Sequence, residues 1–172
     1  MGMDVYGNNP KENLPKEEFP VYKQYEDMEF TERWKHLDAD EKLRTTYWKQ
    51  MQEYEEHNVG VYFRNNCWWW RPLWSFVCNN CDFMTEEQFT AGSYNDGKEI
   101  DQETAAKIGT QLEILLADGT VDKWEEHIKK KNKELEKSED KDMRFLSSYP
   151  FSRENVENFA KFCLESGGFI IC

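Results

Sequence analysis

No run of this chain approaches the roughly 20 apolar residues needed to cross a bilayer, and no basic-then-apolar opening suggests a secretory signal. Glycine and proline are sparse, 9 and 5 in 172 residues, and no glycines gather into a loop that would cradle a phosphate. Histidine occurs three times, at His36, His57 and His127, each isolated and none within an H-E-x-x-H. The five cysteines are an odd number without the spacing of a disulfide scaffold, which favours a reducing compartment. Positive charge is also in deficit. Lys and Arg total 22 against 34 Asp and Glu, a formal charge of −12 and a pI near 4.8. Such a surface argues against general nucleic-acid affinity, which depends on neutralising phosphates. The expectation is a soluble cytoplasmic protein with no membrane association and no direct contact with nucleic acid.

What the chain has instead is aromatic residues. They make up 15% of it while hydrophobics overall reach only 38%, so a core would be built from large rings. They concentrate in Tyr62-Phe63-Arg64-Asn65-Asn66-Cys67-Trp68-Trp69-Trp70-Arg71-Pro72-Leu73-Trp74. Neither a helix nor a strand can bury three consecutive indoles on one face, because side chains diverge along both. Some of these rings must point away from the core, toward a groove, a partner or a ligand.

The elements are readable from periodicity and punctuation. Residues 1–7 read as a short strand, and Pro10, Pro15 and Pro20 make 8–20 an irregular connection. A short helix is expected around Thr31–Leu37, and a better one from Asp40 to His57, where Leu43, Tyr47, Met51 and Tyr54 recur at helical spacing. Gly60–Arg64 reads as a second strand. Pro72 suits a helix start, with Leu73, Phe76, Val77 and Phe83 on its buried side. The segment Ser93–Gly97 is a turn, and Asp101 caps a helix over 102–117. A thinner amphipathic helix over 121–138 carries Trp124, Ile128 and Leu135, with Lys129–Lys131 on its solvated part. Ser152 is a good N-cap for a helix bearing Val156, Phe159, Ala160 and Cys163, and Gly167-Gly168 ends it. Phe169–Cys172 reads as a last strand. The sum is an α+β fold: one mostly helical domain over 1–172, with a small sheet formed by the N-terminus, residues 60–64 and the C-terminus.

Several motifs bear on chemistry. In the aromatic segment, Arg64 and Arg71 could converge on an anion while Trp68, Trp69, Trp70 and Trp74 offer stacking faces. Asn65 and Asn66 would then supply donor and acceptor edges. The plain alternative sends Trp69 and Leu73 into the core, with Arg71 packed along an indole. Cys78 and Cys81 form a C-x-x-C with Cys67 and His57 upstream, but structural zinc sites want four ligands, commonly as two such pairs. The two thiols read as small packing residues on one helix face, and no metal or cofactor is expected. Asn95, Asp96, Glu99 and Asp101 resemble a partial cation loop and are better explained as a turn followed by a helix cap. The acidic stretches at Glu53–Glu56 and Glu134–Asp142 alternate with lysine and read as solvated helix faces. The minority alternative is that they mimic phosphate toward a basic partner.

The opening MGMDVYG, the core YFRNNCWWWRPLW and the ending YPFSRENVENFAKFCLESGGFIIC resemble a group of small proteins found in bacteriophage and bacterial genomes. The resemblance covers both ends and the aromatic core. It implies that relatives join the opening to the core by a shorter link, which makes 11–58 a helical insertion, and that an aliphatic residue stands where Cys67 does here. It brings no catalytic residue with it. It implies a mobile-element context in a bacterial host cell, where small acidic proteins often counter host immunity. The leading expectation is therefore a phage-type accessory protein that binds a small nucleotide signal at Arg64, Asn65, Asn66, Trp68, Trp69, Trp70, Arg71 and Trp74. A protein–protein inhibitor that covers a host defence nuclease or effector is the alternative. A small nucleotide-processing enzyme using Asp96, Glu99 or a histidine comes third. A homo-oligomer stays open in each case.

Overall fold

The computed structural model describes residues 2–172, in the order β1 (Gly2–Gly7), α1 (Pro20–Glu26), α2 (Phe30–Ala39), α3 (Glu41–His57), β2 (Tyr62–Asn66), α4 (Cys67–Asn80), α5 (Glu86–Ala91), β3 (Lys98–Ile100), α6 (Gln102–Ala117), α7 (Thr120–Leu135), α8 (Lys141–Leu146), α9 (Arg153–Glu165) and β4 (Phe169–Ile171). The class is α+β and mostly helical, with one small antiparallel sheet of order β2-β1-β4-β3. Two compact units are present, residues 11–59 and the remainder. No helix among the described residues is long and apolar enough to cross a membrane.

In the larger unit the sheet alternates as a half-buried sheet must. Met3 and Val5 of β1 point inward while Asp4 and Tyr6 face out. The register pairs Val5 with Phe63 and Asp4 with Arg64, so Phe63 joins the core side and Arg64 the outer side. Against the inner face lie α4, α6 and α9, and Trp70, Phe76, Phe159, Phe162 and Phe169 are essentially solvent-free. Each such ring contributes about 1.5–3 kcal/mol by leaving water, and the rings meet mostly at edge-to-face and tilted angles, with Phe159 and Phe162 stacked. Gly167 and Gly168, at φ of 62° and 90°, turn the chain out of α9 into β4. A Cβ on Gly167 would lie 2.1 Å from the Asn9 carbonyl oxygen.

The smaller unit is built on tyrosine. Tyr22, Tyr47 and Tyr54 are buried beside Phe19 and Leu37, with Tyr22 and Tyr54 centroids 5.3 Å apart. Each hydroxyl finds a polar partner. Tyr22 donates to Glu26, Tyr54 donates to Glu12 at 2.9 Å, and Tyr47 accepts from Arg33. Burial, reinforced by the neighbouring glutamates, pushes the Tyr22 and Tyr54 phenols well above their ordinary range. Helix α1 has no side-chain cap of its own. Gln50 of α3 supplies one, its Oε1 accepting from the Val21 and Tyr22 amides at 2.8 and 3.1 Å.

Several expectations hold. Asp101 and Ser152 cap α6 and α9 through their side chains, α3 begins next to Asp40, which caps it, and strands form at the N-terminus, near 60–66 and at the C-terminus. Four differ. Strand β2 runs over Tyr62–Asn66 rather than Gly60–Arg64, because Asn65 and Asn66 continue the ladder opposite Met3 and Gly2. Helix α4 starts at Cys67, not Pro72: Asn66 caps it and Pro72 sits inside. The bond forfeited at the proline is offset by burying Trp70, Leu73 and Trp74. Phe83 is 40% exposed, and Cys81 and Met84 take the place expected for it. Finally, α1, α5 and α8 fall in stretches for which no separate helix is expected, and strand β3 in one that reads as a turn before a helix cap.

Candidate functional site

Helix α4 distributes the aromatic motif. The Asn66 side chain accepts from the Trp68 and Trp69 amides at 3.0 and 3.2 Å, which fixes the helix start. At 100° per residue, Trp70, Leu73, Trp74 and Val77 then face the core, while Trp68, Arg71, Pro72 and Ser75 share the opposite side. Trp70 and Trp74 are 1% and 4% exposed. Their indole N–H groups donate to the Gly92 and Phe89 carbonyls at 2.7 and 2.9 Å. They are core residues, and only the edge of Trp74 reaches a cavity wall.

Trp68 lies against Phe145 and Tyr149, with centroids 5.1 and 5.0 Å away. Arg71 is exposed. It donates from Nη1 to the Tyr149 hydroxyl at 2.9 Å and lies over that ring at 6.0 Å. No carboxylate among the described residues is within ion-pair reach of it. The Asn132 side chain donates to the Tyr149 carbonyl at 2.9 Å. Tyr149 is thus held by an indole, a guanidinium and a carboxamide.

Arg71 and Ser75, one helical turn apart, border two clefts. The first, about 390 Å³, is walled by Pro72, Ile128, Leu135, Leu146 and Tyr149, with Lys131 and Asn132 as its polar members. The second, about 380 Å³, is walled by Trp74, Cys78, Phe89, Gly92, Ser93 and Tyr94. A smaller cleft of about 220 Å³ sits beside Trp69, Asn65, Asn155 and Asn158.

The eight residues expected to form one pocket are therefore dispersed. Arg64 projects from the outer face of β2 and pairs with Asp4 at 3.4 Å. Asp4 also accepts from the Tyr62 hydroxyl, and burial with that contact raises the Tyr62 phenol above its ordinary range. None of the three clefts is lined by both arginines. Strand alternation places Arg64 on one side of the sheet, and α4 carries Arg71 away from it. Asn65 donates to Asn155 at 2.9 Å and lines the small cleft with Trp69. Asn66 is spent on the helix cap. Trp68 and Arg71 are the pair brought together, and what joins them is Tyr149.

The sequence reading missed Tyr149, Lys131, Asn132 and Tyr94 as cleft residues. Tyr149 had a signal, because it opens the Tyr149-Pro150-Phe151 lead-in to the last helix. Lys131 read only as part of a solvated lysine run. Among the other candidates, Glu99 accepts from Asn8 at 2.6 Å and Asp101 is occupied by its cap on Thr104. No group of three or more His, Cys, Asp or Glu among the described residues is arranged to hold a metal ion. Burial pushes the Cys78 thiol up to about 11 and Cys81 to about 12, away from the thiolate that nucleophiles and metal ligands require. No protein-family model matches this chain, nor does any curated protein or solved structure.

Proposed function

We propose that this protein acts by binding, and that its ligand is a small phosphorylated molecule with a planar body, of the nucleotide class, gripped at Arg71. One observation carries this reading. In a chain of net charge −12, an exposed guanidinium stands at the rim of two clefts with a tyrosine hydroxyl, and no carboxylate of the described residues, as its partner. A guanidinium fork grips phosphate bidentately. The larger cleft falls within the roughly 300–1,000 Å³ of small-molecule sites. The Tyr149 ring, backed by Trp68, offers a stacking surface beside it. The resemblance to phage and bacterial proteins supports a role in which such binding silences a nucleotide signal of host defence by sequestration.

Calorimetric titration with a panel of mononucleotides and linear and cyclic dinucleotides tests this. At least one member binds, and Arg71→Ala weakens it by about ten- to a hundredfold, the size of one charge-assisted contact. Silence across the panel, or equal affinity in the variant, overturns the reading.

A second reading is favoured by α8, whose Met143, Phe145 and Leu146 are 43%, 53% and 47% exposed beside Trp68. Arginine and tryptophan flanked by apolar side chains are frequent hot spots of protein interfaces. The protein would then be an inhibitor that docks this face on a host effector. Loss of capture of that effector in Phe145→Asp, with nucleotide binding intact, would decide for it.

A further inference from the structure

We infer that the two clefts flanking Arg71 form one bipartite site, built for a ligand with two planar groups joined through phosphate, a dinucleotide. This rests on the binding reading above. The position of the charge is the main argument. Arg71 and Ser75 are one turn apart on α4, and both belong to both clefts. They therefore form the ridge between two spaces of nearly equal size, about 390 and 380 Å³. A mononucleotide carries its phosphate at one end and would place its charge at the ridge with one lobe unfilled. A dinucleotide carries its linking phosphate in the middle, where the guanidinium is.

Each lobe offers a ring and a polar edge. In the first, Tyr149 is the ring. Asn132 spends its amide nitrogen on the Tyr149 carbonyl, which leaves its carboxamide oxygen to accept from a base amino group. In the second, Tyr94 is 63% exposed with Ser93 beside it. Tyr94 occupies that lobe's outer wall, where a second base would stack. The lobes are not equivalent in charge, because Lys131 belongs only to the first. A second phosphate is thus directed to the side of Tyr149.

Titration of the full chain with AMP, the linear dinucleotide pApA and cyclic di-AMP tests the inference, with the total tryptophan emission of the protein as a second readout. The dinucleotides bind at least tenfold more tightly than AMP. Tyr94→Ala, an exposed position whose loss leaves the core intact, lowers dinucleotide affinity about tenfold, and affects AMP less, since Lys131 draws a single nucleotide to the lobe of Tyr149. The preferred dinucleotide tells a linear ligand from a cyclic one. If AMP and the dinucleotides bind equally and Tyr94→Ala changes neither, the bipartite site is wrong while a single-lobed nucleotide site at Arg71 stands. If none of the three binds, and no other mononucleotide or dinucleotide of the wider panel does, both readings fall.

Discussion

The indoles of Trp70 and Trp74 are stacked, with centroids 5.4 Å apart and planes 12° from parallel. One helical turn separates them, so α4 presents them as a single slab against Phe159. Both indole N–H groups are satisfied on the carbonyls around Gly92. This slab is why a triplet of tryptophans is tolerated: one ring of the three is core, and its mate comes from outside the triplet. Trp70→Ala and Trp74→Ala should each cost about 3–5 kcal/mol in urea unfolding, whereas Trp68→Ala, on the outer side, costs under about 1 kcal/mol. Gly92→Ala belongs with the first group. Its Cβ would lie 2.2 Å from the Trp74 ring, and the slab would have to move.

How much of this was legible follows from which forces leave a trace in sequence. Capping leaves one: Asp40, Asp101 and Ser152 are short polar residues standing before periodic runs, and the structure uses each side chain as a cap. Strand alternation leaves one too, and three of the four strands come from the segments expected, β3 being the addition. Pro72 misled, because tertiary burial of three large side chains outweighs one missing hydrogen bond. Helix α1 opens on Pro20, a start signal masked by the run of prolines at 10, 15 and 20, and its cap comes from Gln50, 29 residues away. The site was legible in composition but not in direction. Adjacency in sequence suggested that Arg64 and Arg71 converge, yet a strand and a helix joined end to end send neighbouring side chains apart. Tyr149, 78 residues from Arg71, has no local mark of that meeting.

Asn66→Ala should destabilise the protein by about 0.5–2 kcal/mol, the usual worth of an N-cap. The midpoint of urea unfolding should fall with its slope unchanged. Asn66→Asp should retain most of the stability, since a carboxylate also accepts from the Trp68 and Trp69 amides and suits a helix N-terminus. Equal losses in both variants would mean that the side chain does something other than cap.

The thiols should divide into two classes under a disulfide exchange reagent at mildly alkaline pH. All five are unpaired. Cys81 is buried and pushed up to about 12 by desolvation, with Cys78 and Asp82 adding to it, and fully buried Cys163 is raised well above the ordinary value. Half-buried Cys67 and Cys172 should react first, and Cys81 and Cys163 only as fast as the chain opens. Cys67→Ala should remove one fast equivalent. A fast reaction persisting in the Cys67→Ala, Cys172→Ala double variant would show that Cys78 is more accessible than its surroundings imply.

Asn58 is fully buried and fully bonded. Its Oδ1 accepts from the Asn13 and Leu14 amides at 2.6 and 3.0 Å, and its Nδ2 donates to the Leu14 and Tyr54 carbonyls at 2.9 Å each. Asn58→Ala strands these groups and should cost roughly 3 kcal/mol. Asn58→Asp keeps the two acceptor bonds but turns an oxygen toward two carbonyls. Its deficit should be larger at neutral pH than at pH values where the carboxyl is protonated. Limited proteolysis should then cut first within 11–19, the segment this side chain ties down.

Glu55 gives the smaller unit a pH dependence whose sign can be worked out. Its carboxyl is half-buried on α3, and desolvation alone pushes its pKa from an ordinary 4.5 up to about 7. The folded chain therefore holds this proton more tightly than the unfolded chain. Stability from this group is fully present below about pH 4.5, declines as pH rises toward 7, and is flat beyond. Glu55→Gln removes the charge and with it the decline. The variant should match the parent in acid and exceed it at neutral pH and above. The gain is about 1 kcal/mol, less than the shift alone implies, because the exposed part of the carboxylate keeps its water. Urea unfolding of the two proteins across this range is the measurement, and a constant gap at every pH would mean that the substitution acts through packing rather than through charge.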